Sequence, residues 1–189
     1  MLRNELNPDI IQAAVEQLLT GLGHDAWYAD PNLRETPRRV AQMYKELLSP
    51  IEPKLTAFPE KHGQMIVLAH HQDFTLCPHH LLPVALDVSV AYIPMKSVVG
   101  LSKLARVIHA RAANLILQET LTDGIADALF GAPLSSKGSA VLIYGEHSCM
   151  QIRGPRSSAT TITVAIRGVF KDDPSAKEEF LALVRRTHD

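Results

Sequence analysis

Cys77-Pro78-His79-His80 places a thiol and two imidazoles within four residues of a chain that holds only two cysteines. The other cysteine, Cys149, comes far downstream in His147-Ser148-Cys149. A short Cys/His cluster answered by a distant His-x-Cys is the spacing of a metal site that folding closes. The pair constrains the fold strongly, because everything between the two clusters must bring the chain back to where it started. Cys77 and His80 are three apart with a proline turn between them, so both side chains can reach one ion. His147 and Cys149 are two apart and share a side if their segment is extended. Three ligands with an open position make a catalytic zinc pattern, and four closed ligands a structural one. If Cys77, His80 and Cys149 take the metal, His79 and His147 remain as nearby imidazoles for proton transfer. Two buried free cysteines with surface histidines, or a Cys77–Cys149 redox pair, are the competing readings.

A chain of 189 residues, 46% hydrophobic and 21% charged, can bury a core and reads as one domain with an appended helical piece. Its formal net charge of −1 offers no global field for nucleic acid or an anionic membrane, so any anionic ligand needs a local cationic cluster. Residues 1–20 mix Arg3, Glu5, Asp9 and Glu16 with apolar residues, which is neither a signal peptide nor a membrane span. The expectation is a cytoplasmic protein, in a reducing compartment that favours thiolate ligation over a disulfide.

The hydrophobic pattern divides the chain. Asn7-Pro8 followed by Ile11, Ala14, Val15, Leu18 and Leu19 predicts a capped helix that ends at Gly21 or Gly23. Thr36 as N-cap and Pro37 at N1 open a second helix, with a stripe of Val40, Met43, Tyr44, Leu47 and Leu48. Residues 1–60 thus read as a helical arm and 61–189 as the main domain. From there the period changes. Met65–Leu68 is a short apolar run, and Val84–Tyr92 alternates with period two. Gly100 precedes a helix with Leu101, Leu104, Ala105, Ile108, Ala112 and Leu115 on one side. A second helix carries Leu121, Ile125, Ala128 and Leu129 and ends at Gly131 and Pro133. Residues 139–144 and 159–170 predict strands, and a last helix follows Pro174. Strands two by two with helices between predict an α+β fold, an antiparallel sheet with helices on one face.

Two further groups could carry chemistry. Ser102, Lys103 and Arg106 sit at the start of the helix after Gly100, where Lys103 and Arg106 share a face and free N–H groups favour an anion. Arg153 follows the second Cys/His cluster, and Arg38 and Arg39 open the second helix. Each alone reads equally as a solvated cation. Gln118-Glu119 interrupts an apolar stretch, and a carboxylate there could accept the paired donors of a guanine edge or simply face solvent.

These pieces together resemble the GTP cyclohydrolase I family over most of the chain. The resemblance runs through residues 35–44, then Cys77-Pro78-His79-His80-Leu81-Leu82-Pro83, Val90-Ala91-Tyr92-Ile93-Pro94 and Gly100-Leu101-Ser102-Lys103-Leu104-Ala105-Arg106. Gln118-Glu119, His147, Cys149, Ser158-Ala159-Thr160-Thr161 and Gly168-Val169-Phe170 complete it in order. The family implies a tunnelling fold, assembled as a homo-oligomer, usually a decamer of two pentamers, with active sites between subunits. It implies hydrolysis of GTP to 7,8-dihydroneopterin triphosphate and formate. Carried over by position, Cys77, His80 and Cys149 look like ligands of a zinc ion. His147 looks like the acid that protonates the purine imidazole while water attacks C8, and His79 like its partner. Ser102 joins them as a catalytic position near the ribose. Gln118 and Glu119 match the guanine-recognition pair, while Lys103, Arg106, Arg153 and Arg39 match positions that hold the triphosphate and ribose.

The chain departs from the family pattern at three places. Pro78 stands where an acidic residue is usual, Gln42 where a lysine is usual, and Asn114-Leu115 where Arg-Pro is usual. These departures admit a same-fold paralogue that acts on another purine nucleotide or stops at the ring-opened intermediate. A non-catalytic oligomeric module held by structural zinc is the reading from another class.

Overall fold

The computed structural model describes residues 6–59, 63–132 and 134–185. Arg3, Glu5, Pro133 and the expected domain boundary at residue 60 lie outside the described residues. The chain divides into two compact units, Met1–Ser49 and Pro50–Asp189. Residues 50–59 go with the second unit because β1 (Ala57–Pro59) pairs antiparallel with β4 (Ser97–Val99).

The N-terminal unit consists of α1 (Pro8–Gly21), a 3-10 turn (Trp27–Ala29) and α2 (Thr36–Leu47). Asn7 caps α1, its side-chain oxygen accepting from the N–H groups of Asp9 and Ile10 at 3.1 and 3.2 Å. In α2 Thr36 is the first helical residue rather than the N-cap. Glu35 takes the cap position without a capping bond, since its carboxylate is engaged by Arg38 Nε at 2.9 Å. Val15, Leu19, Pro37 and Ala41 are buried within this unit, and Met43 and Leu47 stay exposed.

The second unit is built on a four-stranded antiparallel sheet in the order β2-β3-β5-β6. Its strands are β2 (Ile66–Leu76), β3 (Pro83–Ile93), β5 (Gly138–His147) and β6 (Thr161–Gly168). β2 runs well beyond the apolar run that announced it, through His70, His71 and Asp73. It is an edge strand, and a bulge between Leu68 and His71, with His70 at φ 57°, lets polar residues enter it. Two long helices, α3 (Leu101–Ala112) and α4 (Gln118–Phe130), cross over between β4 and β5. They cover one sheet face, where Val84, Leu86, Val88, Val90 and Tyr92 of β3 meet Leu104, Ile108, Leu121 and Ile125. The period-two pattern of β3 therefore marks the buried face directly. The opposite face carries a smaller cluster in which Ala91, Ala140 and Leu142 meet Phe170 of α6 (Val169–Asp172) and Phe180 of α7 (Pro174–Leu183). Arg167 of β6 ties the sheet to α4 through Asp123 and Asp127, both at 2.7 Å. No described helix is long and apolar enough to cross a membrane.

Candidate active site

The register of the sheet brings the two Cys/His clusters together. β2 ends at Leu76, and the chain turns through residues 78–80 into β3. Cys77 closes this turn on both sides: its N–H donates to Leu82 O, and its carbonyl accepts from Leu81 N–H, each at 2.9 Å. β5 lies antiparallel to β3 with His147 opposite Val84, so its end arrives beside that turn. Cys149 is not on an extended segment. It sits in α5 (Ser148–Gln151), a single helical turn that swings its thiol toward Cys77.

Donor atoms of Cys77, His80 and Cys149 all lie within 4.8 Å of one another. The two Sγ atoms are 3.8 Å apart, and His80 Nδ1 is 3.7 Å from Cys77 Sγ. Both thiols are buried, and burial together with the neighbouring Cys77 sulfur pushes the Cys149 thiol up. Two crowded, buried sulfurs and one imidazole match the sulfur and nitrogen preference of zinc, and a cation favours the thiolates that burial disfavours. The donor set fits the metal. His79 stands beside it, exposed, with Nδ1 4.0 Å from Cys77 Sγ. Arg153 reaches the other side of His80, its Nη1 2.7 Å from His80 Nε2.

These groups open on a cavity of about 310 Å³ that Glu119, His147 and Thr161 also line. Among the described residues Glu119 is the sole carboxylate on its walls. His147 and Gln118 form the back of the cavity, with His147 Nε2 2.9 Å from Gln118 Oε1. Gln118 is 3% exposed. Its amide nitrogen donates to the carbonyls of Ile143 (3.3 Å) and Thr161 (3.1 Å) and to Thr163 Oγ1 (3.1 Å). Thr122 Oγ1 donates to the Gln118 carbonyl at 2.6 Å and lies 2.7 Å from Thr163 Oγ1. Burial pushes the His147 imidazole below its ordinary pKa, and the negative charge of Glu119 partly opposes this. Gly145 makes the room, since a Cβ there would collide with the Gln118 amide. Gly145 and Thr163 escaped sequence reasoning, although a glycine inside a buried strand is a signal of close approach.

Apart from Arg153, the phosphate-binding candidates lie away from this cavity. Lys103 and Arg106 line a separate groove of about 580 Å³, with Lys54, Glu52 and His109. α3 runs along β2, with His109 Nδ1 3.2 Å from Asp73 Oδ2 and Leu115 bridged to Leu76. From Lys103 to Ala112 the helix rises about 14 Å, so this groove and the Cys/His cavity sit toward opposite ends of it. Ser102 is exposed in the first turn of α3. Among the described residues Lys54, Lys103 and Arg106 form no ion pair, whereas Glu52 is paired with Arg111. Arg39 is exposed on α2, in the N-terminal unit.

A four-stranded antiparallel sheet packed with helices, carrying a Cys₂His donor set at the end of its central strands, defines the class. A sequence model of GTP cyclohydrolase I matches residues 11–185. The GTP cyclohydrolase 1 of Bacillus subtilis (strain 168) is 41% identical over 192 residues, covering 96% of this chain and 98% of its own. That of Aquifex aeolicus (strain VF5) is 41% identical over 183 residues, covering 95% and 98%. That of Synechococcus sp. (strain JA-2-3B'a(2-13)) is 40% identical over 189 residues, covering 96% and 81%. Among solved structures, an archaeosine synthase QueF-Like in the apo form aligns with 55% of this chain and 93% of its own, at 18% identity and a TM-score of 0.47. The chain belongs to the GTP cyclohydrolase I family and is an enzyme of the hydrolase class.

Proposed function

We propose that this chain hydrolyses GTP, opening the imidazole ring and yielding 7,8-dihydroneopterin triphosphate and formate. The observation that carries the reading is the cavity itself, where a metal donor set, two imidazoles and one carboxylate face the same space. Cys77, His80 and Cys149 would hold zinc. When bound, zinc supplies Lewis acidity that activates water near neutral pH. Glu119 accepts the N1–H and 2-amino donors of guanine and so orients the base. His147, a stronger acid through its burial, hands a proton to the purine imidazole nitrogen as C8 is hydrated. His79, exposed at the mouth, exchanges protons with the opened ring. Arg153 sits where it can meet the ribose or the nearest phosphate.

Lys103, Arg106 and Ser102 lie toward the other end of their own α3, in a groove separate from the cavity. The reading therefore takes them from a second copy of the chain, together with Arg39, in a homo-oligomer such as a decamer with shared sites. The uncompensated charge of the groove supports this, because a triphosphate needs several cations along its length. Turnover of GTP by metal-replete protein, followed as a fluorescent pterin after oxidation and as released formate, tests the proposal. Metal-loaded protein that leaves GTP unchanged would sink it.

One observation favours a second reading. With Pro78 in place of an acidic residue, Glu119 is the one carboxylate among the described residues that line the cavity. The chain would then release the ring-opened nucleotide or accept another purine, and mass spectrometry of the product decides between the two.

A further inference from the structure

Three cations line the groove along α3, and two of them, Lys103 and Arg106, belong to the helix itself. The third, Lys54, comes from the segment ahead of β1, which carries no motif. That segment is fastened to α3 at both ends. Gly100 N–H, just before the helix, donates to Thr56 O at 3.2 Å, and β1 extends this contact by pairing Ala57 with Val99. At the far end of the helix Arg111 Nη1 donates to Glu52 Oε1 at 2.5 Å. From Gly100 to Arg111 the helix rises about 16 Å, and Glu52 to Thr56 spans about 13 Å when extended. The lengths match, so the segment lies antiparallel along the helix with Lys54 between its two fastenings. Leu55 packs against the core, and Lys54 beside it is exposed.

The same fastening removes negative charge from the groove. Among the described residues that line it Glu52 is the one carboxylate, and Arg111 holds it. His109 is turned to Asp73, with Nδ1 3.2 Å from Oδ2. We infer that Lys54 is a specificity-determining residue that makes the groove select a triphosphate over a shorter phosphate chain. The inference rests on reading GTP as the substrate and the groove as the place of its triphosphate. Lys103 and Arg106 share a helix face about 4.5 Å apart along the axis, a pair suited to adjacent phosphates. A third phosphate adds charge that this pair leaves unmet, and Lys54 meets it from the facing segment. Its ammonium is a point charge on a flexible stem, so it reads charge and chain length rather than a fixed bidentate geometry.

Calorimetry on full-length, metal-replete protein, with inorganic tripolyphosphate and pyrophosphate as probes, tests this. Lys54→Ala is expected to weaken tripolyphosphate binding about tenfold and pyrophosphate binding less than about threefold. Lys54→Arg keeps the charge and should hold tripolyphosphate binding within about threefold of wild type. Lys177→Ala removes the same charge from exposed α7, away from the groove, and should leave both affinities within about 1.5-fold. In turnover, Lys54→Ala should raise KM for GTP about tenfold with kcat within about twofold. Equal weakening of both probes, unchanged tripolyphosphate binding, or a wild type that binds neither probe overturns the inference. A loss in Lys177→Ala as large as that in Lys54→Ala does the same. Absent GTP turnover in wild type would remove the proposed substrate, and the selectivity between the two probes would still decide the role of Lys54.

Discussion

The Cys/His cavity and the cationic groove belong to one compact unit and obey opposite rules. Around the cavity nearly every polar group has a partner inside the chain: Gln118, Thr122, Thr163 and His147 form one closed network, and the two thiols touch. Along the groove Lys54, Lys103 and Arg106 line an open surface, with the local carboxylate of Glu52 already taken by Arg111. A satisfied network holds reacting groups in one geometry before the substrate arrives. Uncompensated cations instead await a ligand that supplies the missing charge. The difference teaches that the Cys/His cavity and the cationic groove are built separately within one unit.

The sharpest way to break the comparison is at the metal donors. Cys149→Ser should abolish stoichiometric metal binding and lower GTP turnover by at least about 1,000-fold. Its affinity for inorganic tripolyphosphate should stay within about twofold of wild type, since the groove keeps its charges. A parallel loss of tripolyphosphate binding, measured by calorimetry, would show that the two regions are one. Lys103→Ala reverses the pattern. It should raise KM for GTP about tenfold or more, with metal content unchanged and an effect that shrinks at high salt.

Co-assembly of these two variants sharpens the comparison further. If a cavity of one chain works with the groove of another, mixed oligomers assayed at GTP well below KM should recover about one quarter of wild-type activity by random pairing. No recovery in a verified mixed assembly would place both halves on one chain. The smallest expected effect concerns the frame of the groove. Tyr92 is fully buried, and its Oη accepts from Val99 N–H at 3.0 Å, which fastens β4 just before α3 begins. Tyr92→Phe orphans that N–H and should cost about 1 kcal/mol in chemical denaturation, with little change in metal binding. Burial also pushes the Tyr92 phenol up. The unfolded chain releases that proton first, so the stabilising contribution is present below the ordinary tyrosine pKa of about 10 and is lost as pH rises through the folded value.

Much of this was legible in the residues. β3 was visible because its alternate residues, Val84 to Tyr92, all enter one core. The Cys/His cluster was visible because its thiols and imidazoles fall in two tight groups, and folding does bring Cys77, His80 and Cys149 together. β2 beyond Leu68 was not, since its polar His70, His71 and Asp73 are allowed only by an edge position and a bulge. Cys149 was expected on an extended segment, and nothing local in Ser148-Cys149-Met150 announces the helical turn that carries it. Gln118 read as an interruption in an apolar stretch. Its burial makes sense only beside Gly145 and Thr163, residues far away in sequence.

By itself, then, the sequence determined the order of the long helices and strands, the buried face of β3, and which side chains could serve as donors, because local periodicity and side-chain chemistry travel with each residue. The short β1, β4, α5 and α6 were not announced, and the strand expected over 159–170 spans only Thr161–Gly168. Only the tertiary structure decided which side chains meet. The β3–β5 register sets His147 opposite Val84 and so closes the Cys/His site, while the length of α3 holds Lys103 and Arg106 away from it. Register and helix length are properties of the whole packed unit, and no short window of sequence contains them.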